Sequence, residues 1–437
     1  MENNLIVFLF ISIFILCAIF SIVKPILLII VPLFSYKIIY ELIIIFNLTV
    51  GNSVATQTAL RLSALVAGIF CILSIIFLII NKYFFYDKFL FPFFIFVNFI
   101  KFISGLIFSN DFVYNVGDFF NLFQIYIFSI ILVYLFKKGH QDILIFSLIF
   151  FSLIADLFYF SQYSIMLFNG NFQRIMGGNI FLVLISFCLF FSNDTKYKKF
   201  YMISFFVPLL TLLFASYRGK WILVLLGIGL FLFFRQERKS FLTLFSTFIK
   251  SFTFIVLIFL VLYQLPTFKD YINKRIVQET IIAYQEDGDT ESQSQKYYET
   301  FKVSQYFYND PIKIFFGYGS GAEIQIDKGV GKYILKKWDS RGKLHYIHNT
   351  YFSNLFRYGL FGLIIFISTI FFLIRSSFRN LDRNGLHIFA LVYLLIGVIG
   401  FSQDFMIGVY LGILEWSFIF SIIIYNNYKK AKDVQTV

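Results

Sequence analysis

An all-α polytopic membrane protein is the fold class this sequence predicts, on three observations. Hydrophobic residues make up 59% of the 437-residue chain and charged residues 14%, with a mean hydropathy of +0.80, a balance foreign to soluble domains. Apolar runs of roughly 20 residues, the length a bilayer-spanning helix needs, recur along the chain. Lysine and arginine cluster in every second connection between those runs, as in loops held in the cytoplasm. The net charge of +13 is thereby explained by orientation and does not point to nucleic acid.

Taken in order, about 12 to 14 transmembrane helices are expected within a single transmembrane domain, 1–437. The candidate spans centre near residues 14, 35, 70, 98, 127, 151, 184, 207, 228, 255, 364, 395 and 418. The second, with Lys37 and Glu41, is the weakest. The first is long and lacks a small-residue cleavage site, so it reads as an anchor rather than a signal peptide. Lys82 and Lys88, Lys137 and Lys138, and Lys196, Lys198 and Lys199 mark cytoplasmic loops. So do Arg235, Arg238 and Lys239, then Arg375, Arg379 and Arg383, while Lys429, Lys430 and Lys432 place the C-terminus on the same side. One long hydrophilic segment, 265–348, falls on the opposite side as a large periplasmic loop. Between Thr267 and Tyr346 it holds 23 of the 61 charged residues, mixed in sign, which predicts a soluble cap rather than a lipid-binding arm.

Metal and disulfide chemistry find no support. Cys17, Cys71 and Cys188 lie in apolar runs without CxxC spacing. His140 and His387 are expected in short basic loops, and only His345 and His348 stand close together. No cofactor is called for.

Cations on the outer side run against the insertion bias and need a reason. Arg218 lies in a very short turn between apolar helices, in ASYRGKW, with Lys220 beside it. It reads either as a snorkelling interfacial arginine or as an anion site, since the guanidinium fork matches phosphate. Arg174, in FNGNFQRIMGGN, has the same two readings, and Arg61 opens the third span. Three outer arginines together suit a pyrophosphate. His348 and Asn349 sit where the long loop meets the apolar run Leu360 to Ile374. His348 is either a surface histidine that caps the following helix or, with its ordinary pKa near neutrality, a general base for a sugar hydroxyl. Asn349 either orients it or caps the helix. Gly359 and Gly362 are expected to allow close helix packing. The Gly-rich run Gly317 to Glu323 is no P-loop and reads as a turn folding the cap back toward the membrane. Asp156, Lys101, Lys250, Asp404 and Glu415 lie in or near apolar runs, where charge is expensive.

Together these elements resemble the Wzy/WaaL superfamily of bacterial O-antigen polymerases and ligases. The superfamily pattern H[NSQ]-x9-G-x-x-[GTY] is met by His348, Asn349, Gly359 and Gly362. Gly317-Tyr318-Gly319 is similar to the G-x-G of its large loop. Arg174-Ile175-Met176-Gly177 looks like its R-x-x-G element, and Ser216-Tyr217-Arg218-Gly219 like its Ser-Arg-Gly with one inserted tyrosine. Many members carry an arginine early in the loop; Lys296 stands nearest that place here, and Arg275 further off.

The resemblance implies a GT-C-like, metal-independent glycosyltransferase of the bacterial inner membrane. Its substrates would be undecaprenyl-pyrophosphate-linked oligosaccharides, with membrane lipids and a chain-length regulator as further partners and no nucleic acid. His348, Arg218 and Arg174 would be catalytic, and Asn349, His345, Arg61, Lys220 and Lys296 would bind substrate. The favoured activity is polysaccharide polymerase, for O-antigen or a capsule-type glycan. The alternatives are an O-antigen ligase acting on lipid A core and, in another class, a flippase or transporter. The last would predict two similar halves, which the sequence does not display.

Overall fold

The computed structural model describes residues 14–39, 53–83, 90–108, 110, 112–168, 179–191, 197–215, 218–235, 253, 260–261, 263–273, 291–325, 343–344, 347, 349–379, 385–400 and 412–435. Its helices are α1 (Leu27–Phe34), α2 (Ser53–Ile80), α3 (Leu90–Ile107), α4 (Phe112–Lys137), α5 (Gln141–Phe168), α6 (Ile180–Phe190) and α7 (Lys198–Ala215). Then come α8 (Arg218–Phe234), α9 (Pro266–Asn273), α10 (Glu291–Asn309), α11 (Lys313–Phe316), α12 (Thr350–Arg379), α13 (Gly385–Gly400) and α14 (Ile413–Gln435). Strands β1 (Ile324–Gln325) and β2 (Lys343–Leu344) form a minimal antiparallel pair, with Ile324 opposite Leu344.

Helices occupy the expected spans centred near 35, 70, 98, 127, 151, 184, 207, 228, 364, 395 and 418. The spans centred near 14 and 255 lie largely outside the described residues. Among the described residues three helices are long and apolar enough to cross a membrane, Tyr114–Lys137, Gln141–Met166 and Thr350–Arg379, and five shorter apolar helices accompany them. A 24-residue helix is about 36 Å long, sufficient for a hydrocarbon core of about 30 Å. Helices suit this setting because each satisfies its own backbone hydrogen bonds.

The centre of the bundle is built by α6 and α13. Every residue from Ile180 to Leu189 is buried, as is every residue from Gly385 to Leu394. A helix apolar on all sides is a core helix or a membrane span, and the burial of these two makes them the core. Phe181 meets Phe389 and Tyr393 edge-on, with ring centroids 5.1 and 5.3 Å apart. Around this pair, α8 and α12 pack on α13, α7 packs on α6, and α14 packs on both α13 and α4. His387 belongs to this core and not to a basic loop: it is buried in the first turn of α13, with its Nδ1 2.8 Å from Asn426 Nδ2.

The weakest expected span owes its charge to a distant partner. A proline inside α1, Pro32, precedes a π-helical turn, Ser35–Ile39, which holds Lys37. Its ammonium reaches Glu415 at 2.5 Å, both side chains buried. Asn179, the N-cap of α6, donates to the same carboxylate at 2.8 Å, and the Tyr393 hydroxyl donates at 3.4 Å. Four helical segments thus meet on one carboxylate, the arrangement a buried charge requires.

A second, smaller core lies outside the bundle. Val303 and Phe307 of α10, Ala322, Ile324, Ile347 and Phe356 are buried together. Tyr306, Ile314, Tyr318, Phe352 and Leu355 pack against them. This is the core of the expected cap, and the first turns of α12 are part of it.

Candidate functional site at the junction of cap and membrane helix

The site is built around a break in α12. At Gly359 the backbone takes φ 64° and ψ −167°, so Thr350 to Tyr358 and Leu360 to Arg379 are two helical pieces in series. The break leaves the carbonyls of Phe356 and Arg357 without their ordinary partners four residues on. The Gly-rich run supplies replacements: Tyr318 N–H donates to Phe356 at 2.8 Å and Gly319 N–H to Arg357 at 2.7 Å. Such an approach needs glycine on both sides. A Cβ on Gly317 would collide with the Arg357 carbonyl, and one on Gly359 with the Phe315 carbonyl. Gly317 and Gly359 also take positive φ, which side chains disfavour. As expected, Gly359 allows close helix packing, here of α11 through the Phe315 backbone, and it also ends one helical piece. Gly362 lies one turn further, where a Cβ would meet the Tyr358 side chain.

The loop is held from the bundle side by α4 and the α3–α4 connection. Asn110 donates to the carbonyls of Tyr318 at 2.7 Å and Ser320 at 2.9 Å. Asp118 of α4 accepts from Gly321 N–H at 3.1 Å and from the Ser320 hydroxyl at 3.4 Å. Its carboxylate also lies 3.1 Å from Arg357 of α12. Lys101 of α3 sits over the Tyr358 ring, 4.2 Å from its centroid, and the Tyr358 hydroxyl donates to Ser320. Tyr318 stacks on Phe356, with Tyr306 edge-on to both. Burial, then Asp310 and Tyr306, pushes the Tyr318 hydroxyl up to about 12, so it acts as a neutral donor to the Tyr306 carbonyl.

Asn349 is the N-cap of α12. Its Oδ1 accepts from Tyr351 N–H at 3.0 Å and Phe352 N–H at 3.2 Å, and its carbonyl accepts from Ser353 N–H. Of the two readings of Asn349, the geometry carries the capping one. Two residues earlier, Ile347 is buried in the cap core. The Tyr351 hydroxyl donates to the Val398 carbonyl near the end of α13, so the start of α12 is tied to the bundle as well.

The other predicted residues divide as follows. His348, His345 and Arg174 lie outside the described residues, Arg174 within the connection between α5 and the α6 cap Asn179. Arg218 is the first residue of α8, with two residues between it and the last of α7, while Arg61 lies in α2 and Lys296 in α10; the side chains of all three lie outside the described residues. Lys220 is half-buried in the first turn of α8. Sequence reasoning missed Asp118, Arg357 and Asn110. Arg357 stood in plain view among the nine residues between Asn349 and Gly359. Asp118 carried the same signal as Asp156, an acid inside an apolar run. Among the described residues no three His, Cys, Asp or Glu side chains gather as a metal set.

These features define a class: an all-α membrane protein whose folded polar cap is seated on a broken helix. Within it, residues 203–367 match the family model described as O-antigen ligase, consistent with the Wzy/WaaL superfamily. The matched region runs from α7 through the cap to Ile367 in α12, and includes Arg218, Lys220, Lys296, His345, His348 and Asn349. Arg61 and Arg174 precede it, as do Lys101 and Asp118. No curated protein matches the chain. The match speaks for a glycosyltransferase-like, ligase-type membrane enzyme of lipopolysaccharide biosynthesis, and it draws no line between polymerase and ligase.

Proposed function

We propose that this chain is a polysaccharide polymerase of the bacterial inner membrane. It would transfer a growing glycan from undecaprenyl pyrophosphate to a new lipid-linked repeat unit on the periplasmic side. The observation that supports this reading is the seating of Gly317–Gly321 on the Gly359 break, inside the family-matched region. That seating fixes the first turn of α12, and so the backbone next to His348, against both the cap core and the bundle.

In the reaction, the acceptor hydroxyl oxygen attacks the anomeric carbon of the donor. His348 takes the hydroxyl proton. The bond from that carbon to the pyrophosphate oxygen breaks, and the lipid pyrophosphate leaves with the electron pair. Arg174 and Arg218 balance the charge that grows on it. Asn349 holds the start of α12, one residue after His348, and His345, Arg61, Lys220 and Lys296 would bind substrate. Neither metal nor cofactor takes part. Holding two lipid-anchored substrates in line supplies much of the acceleration. The description of the matched family favours a second reading, transfer of finished polymer to lipid A core.

The test is the polysaccharide ladder of a deletion strain complemented with variants. Single-repeat chains in the deletion support polymerase; undecorated core with intact lipid-linked polymer supports ligase. His348→Ala should reproduce the deletion while the protein still accumulates, and a normal ladder would remove His348 from the mechanism. Arg174→Lys and Arg218→Lys should fail nearly as badly as alanine, because lysine lacks the bidentate fork. Orientation is checked with cysteines at Tyr308 and His140, both exposed. An impermeant thiol reagent should label the first in intact spheroplasts and the second only after permeabilisation.

A further inference from the structure

The cap carries an apolar face that the described residues leave largely uncovered. In and beside the one-turn helix α11, Ile312 is 69% exposed, Phe315 51% and Phe316 59%. Three large apolar side chains on a polar, water-facing cap would be out of place. Their position resolves this. Gly359 brings the α12 backbone against the backbone of Phe315 and Phe316, so α11 lies level with the start of the apolar run of α12. The Phe316 ring meets the Phe361 ring at 5.7 Å.

Phe361 belongs to an outward stripe. With Ile364, Ile367 and Phe371 it follows helical spacing along α12, and all four are exposed, Phe361 at 56% and Ile364 at 57%. In a helix long and apolar enough to cross a membrane, that stripe faces lipid. The face of α11 continues it upward without a gap. Lys313, in the same turn, points its ammonium to the Phe108 ring at the end of α3, 3.4 Å from the centroid. A basic residue beside exposed aromatics is the composition of a segment resting at a membrane surface.

We propose that Ile312, Phe315 and Phe316 form an interfacial anchor, inserted among the acyl chains of the leaflet on the cap side. The occupant of this face is bulk bilayer lipid. The anchor ties the cap to the membrane surface at the level of the Gly359 break. It does not depend on the activity proposed above.

The experiment uses full-length protein in vesicles of phosphatidylethanolamine and phosphatidylglycerol, with and without bromine on the acyl chains, and no polyprenyl lipid. Phe316→Trp and Phe315→Trp are compared with Ser304→Trp, exposed on α10. Emission is taken as the difference from the parent protein with Trp221, Trp338 and Trp416. Both Phe-site tryptophans should be quenched by brominated lipid at least twofold more than Ser304→Trp, and less than it by aqueous acrylamide. Quenching by acrylamide equal to that of Ser304→Trp, with no response to bromine, would overturn the anchor. Shielding from both quenchers that disappears on diluting protein into lipid would also overturn it, in favour of a second copy. Phe315→Trp keeps the test open should Phe316→Trp fail to fold.

Discussion

Arg357 and Asp118 form an ion pair, 3.1 Å apart, between the helix that carries the cap and a helix of the bundle. The same carboxylate accepts from Gly321 N–H. One side chain therefore holds both the Gly-rich loop and the broken helix.

Breaking that pair should undock the cap. Removing one partner of a buried pair costs about 3–5 kcal/mol, because it strands the other charge. Asp118→Ala should lower the thermal unfolding midpoint in detergent and speed tryptic cleavage within 274–290. Asp118→Ala with Arg357→Met should be milder than Asp118→Ala alone. Equal damage in the single and double variants would show that the contacts to Gly321 and Ser320 matter more than the pair.

Gly359→Ala should be among the most damaging single-methyl changes in the chain. The added Cβ is opposed both by positive φ and by the Phe315 carbonyl. Gly229→Ala, in α8 with open space around the new methyl, should be neutral or slightly stabilising. Comparable thermal stability of the two variants would remove the break from its structural role.

The pair Lys37–Glu415 offers a charge test inside the bundle. Glu415→Gln should reduce accumulation in the membrane, since Lys37 stays buried without its counter-charge. Lys37→Met combined with Glu415→Gln should recover much of the loss. Quantitative immunoblots of membrane fractions read the outcome, and full accumulation of Glu415→Gln alone would refute the idea.

Asn349 allows capping to be separated from contact with substrate. Losing a cap costs about 1 kcal/mol, and serine replaces asparagine well in that role. Asn349→Ser should therefore keep both stability and the polysaccharide ladder, and Asn349→Ala should weaken both. A stable Asn349→Ser protein that makes no polymer would assign the amide to substrate instead.

The helical spans were legible because each is a local property: an apolar run of sufficient length is a helix wherever it packs. The α1 region was hard to read because Lys37 is costly in an apolar run, and the residue that relieves the cost, Glu415, lies near the other end of the chain. The glycines at fixed spacing do mark the junction: Gly317 and Gly319 come against Arg357, and Gly359 against Phe315. The helix break at Gly359 was not legible: spacing alone cannot show that a helix-packing glycine also takes a positive φ and interrupts its own helix. Asp118 and Asn110 escaped notice because their partners come from the far side of the chain. His387, placed in a loop by its basic neighbours, is buried in the first turn of α13 with Asn426 beside its Nδ1.

The interruption of α12 has a consequence for how such a chain can change over time. Its first nine residues answer mainly to the cap core, through Phe352 and Phe356, with Tyr351 turned to the bundle, and Ile370 and Leu373 further along belong to the bundle core. Substitutions at Val303, Phe307 or Ile324 act first on the cap core and reach α13 through the contact of Tyr351 with Val398. A lineage can thus vary one small module at the start of α12 while most of the helical framework is inherited intact.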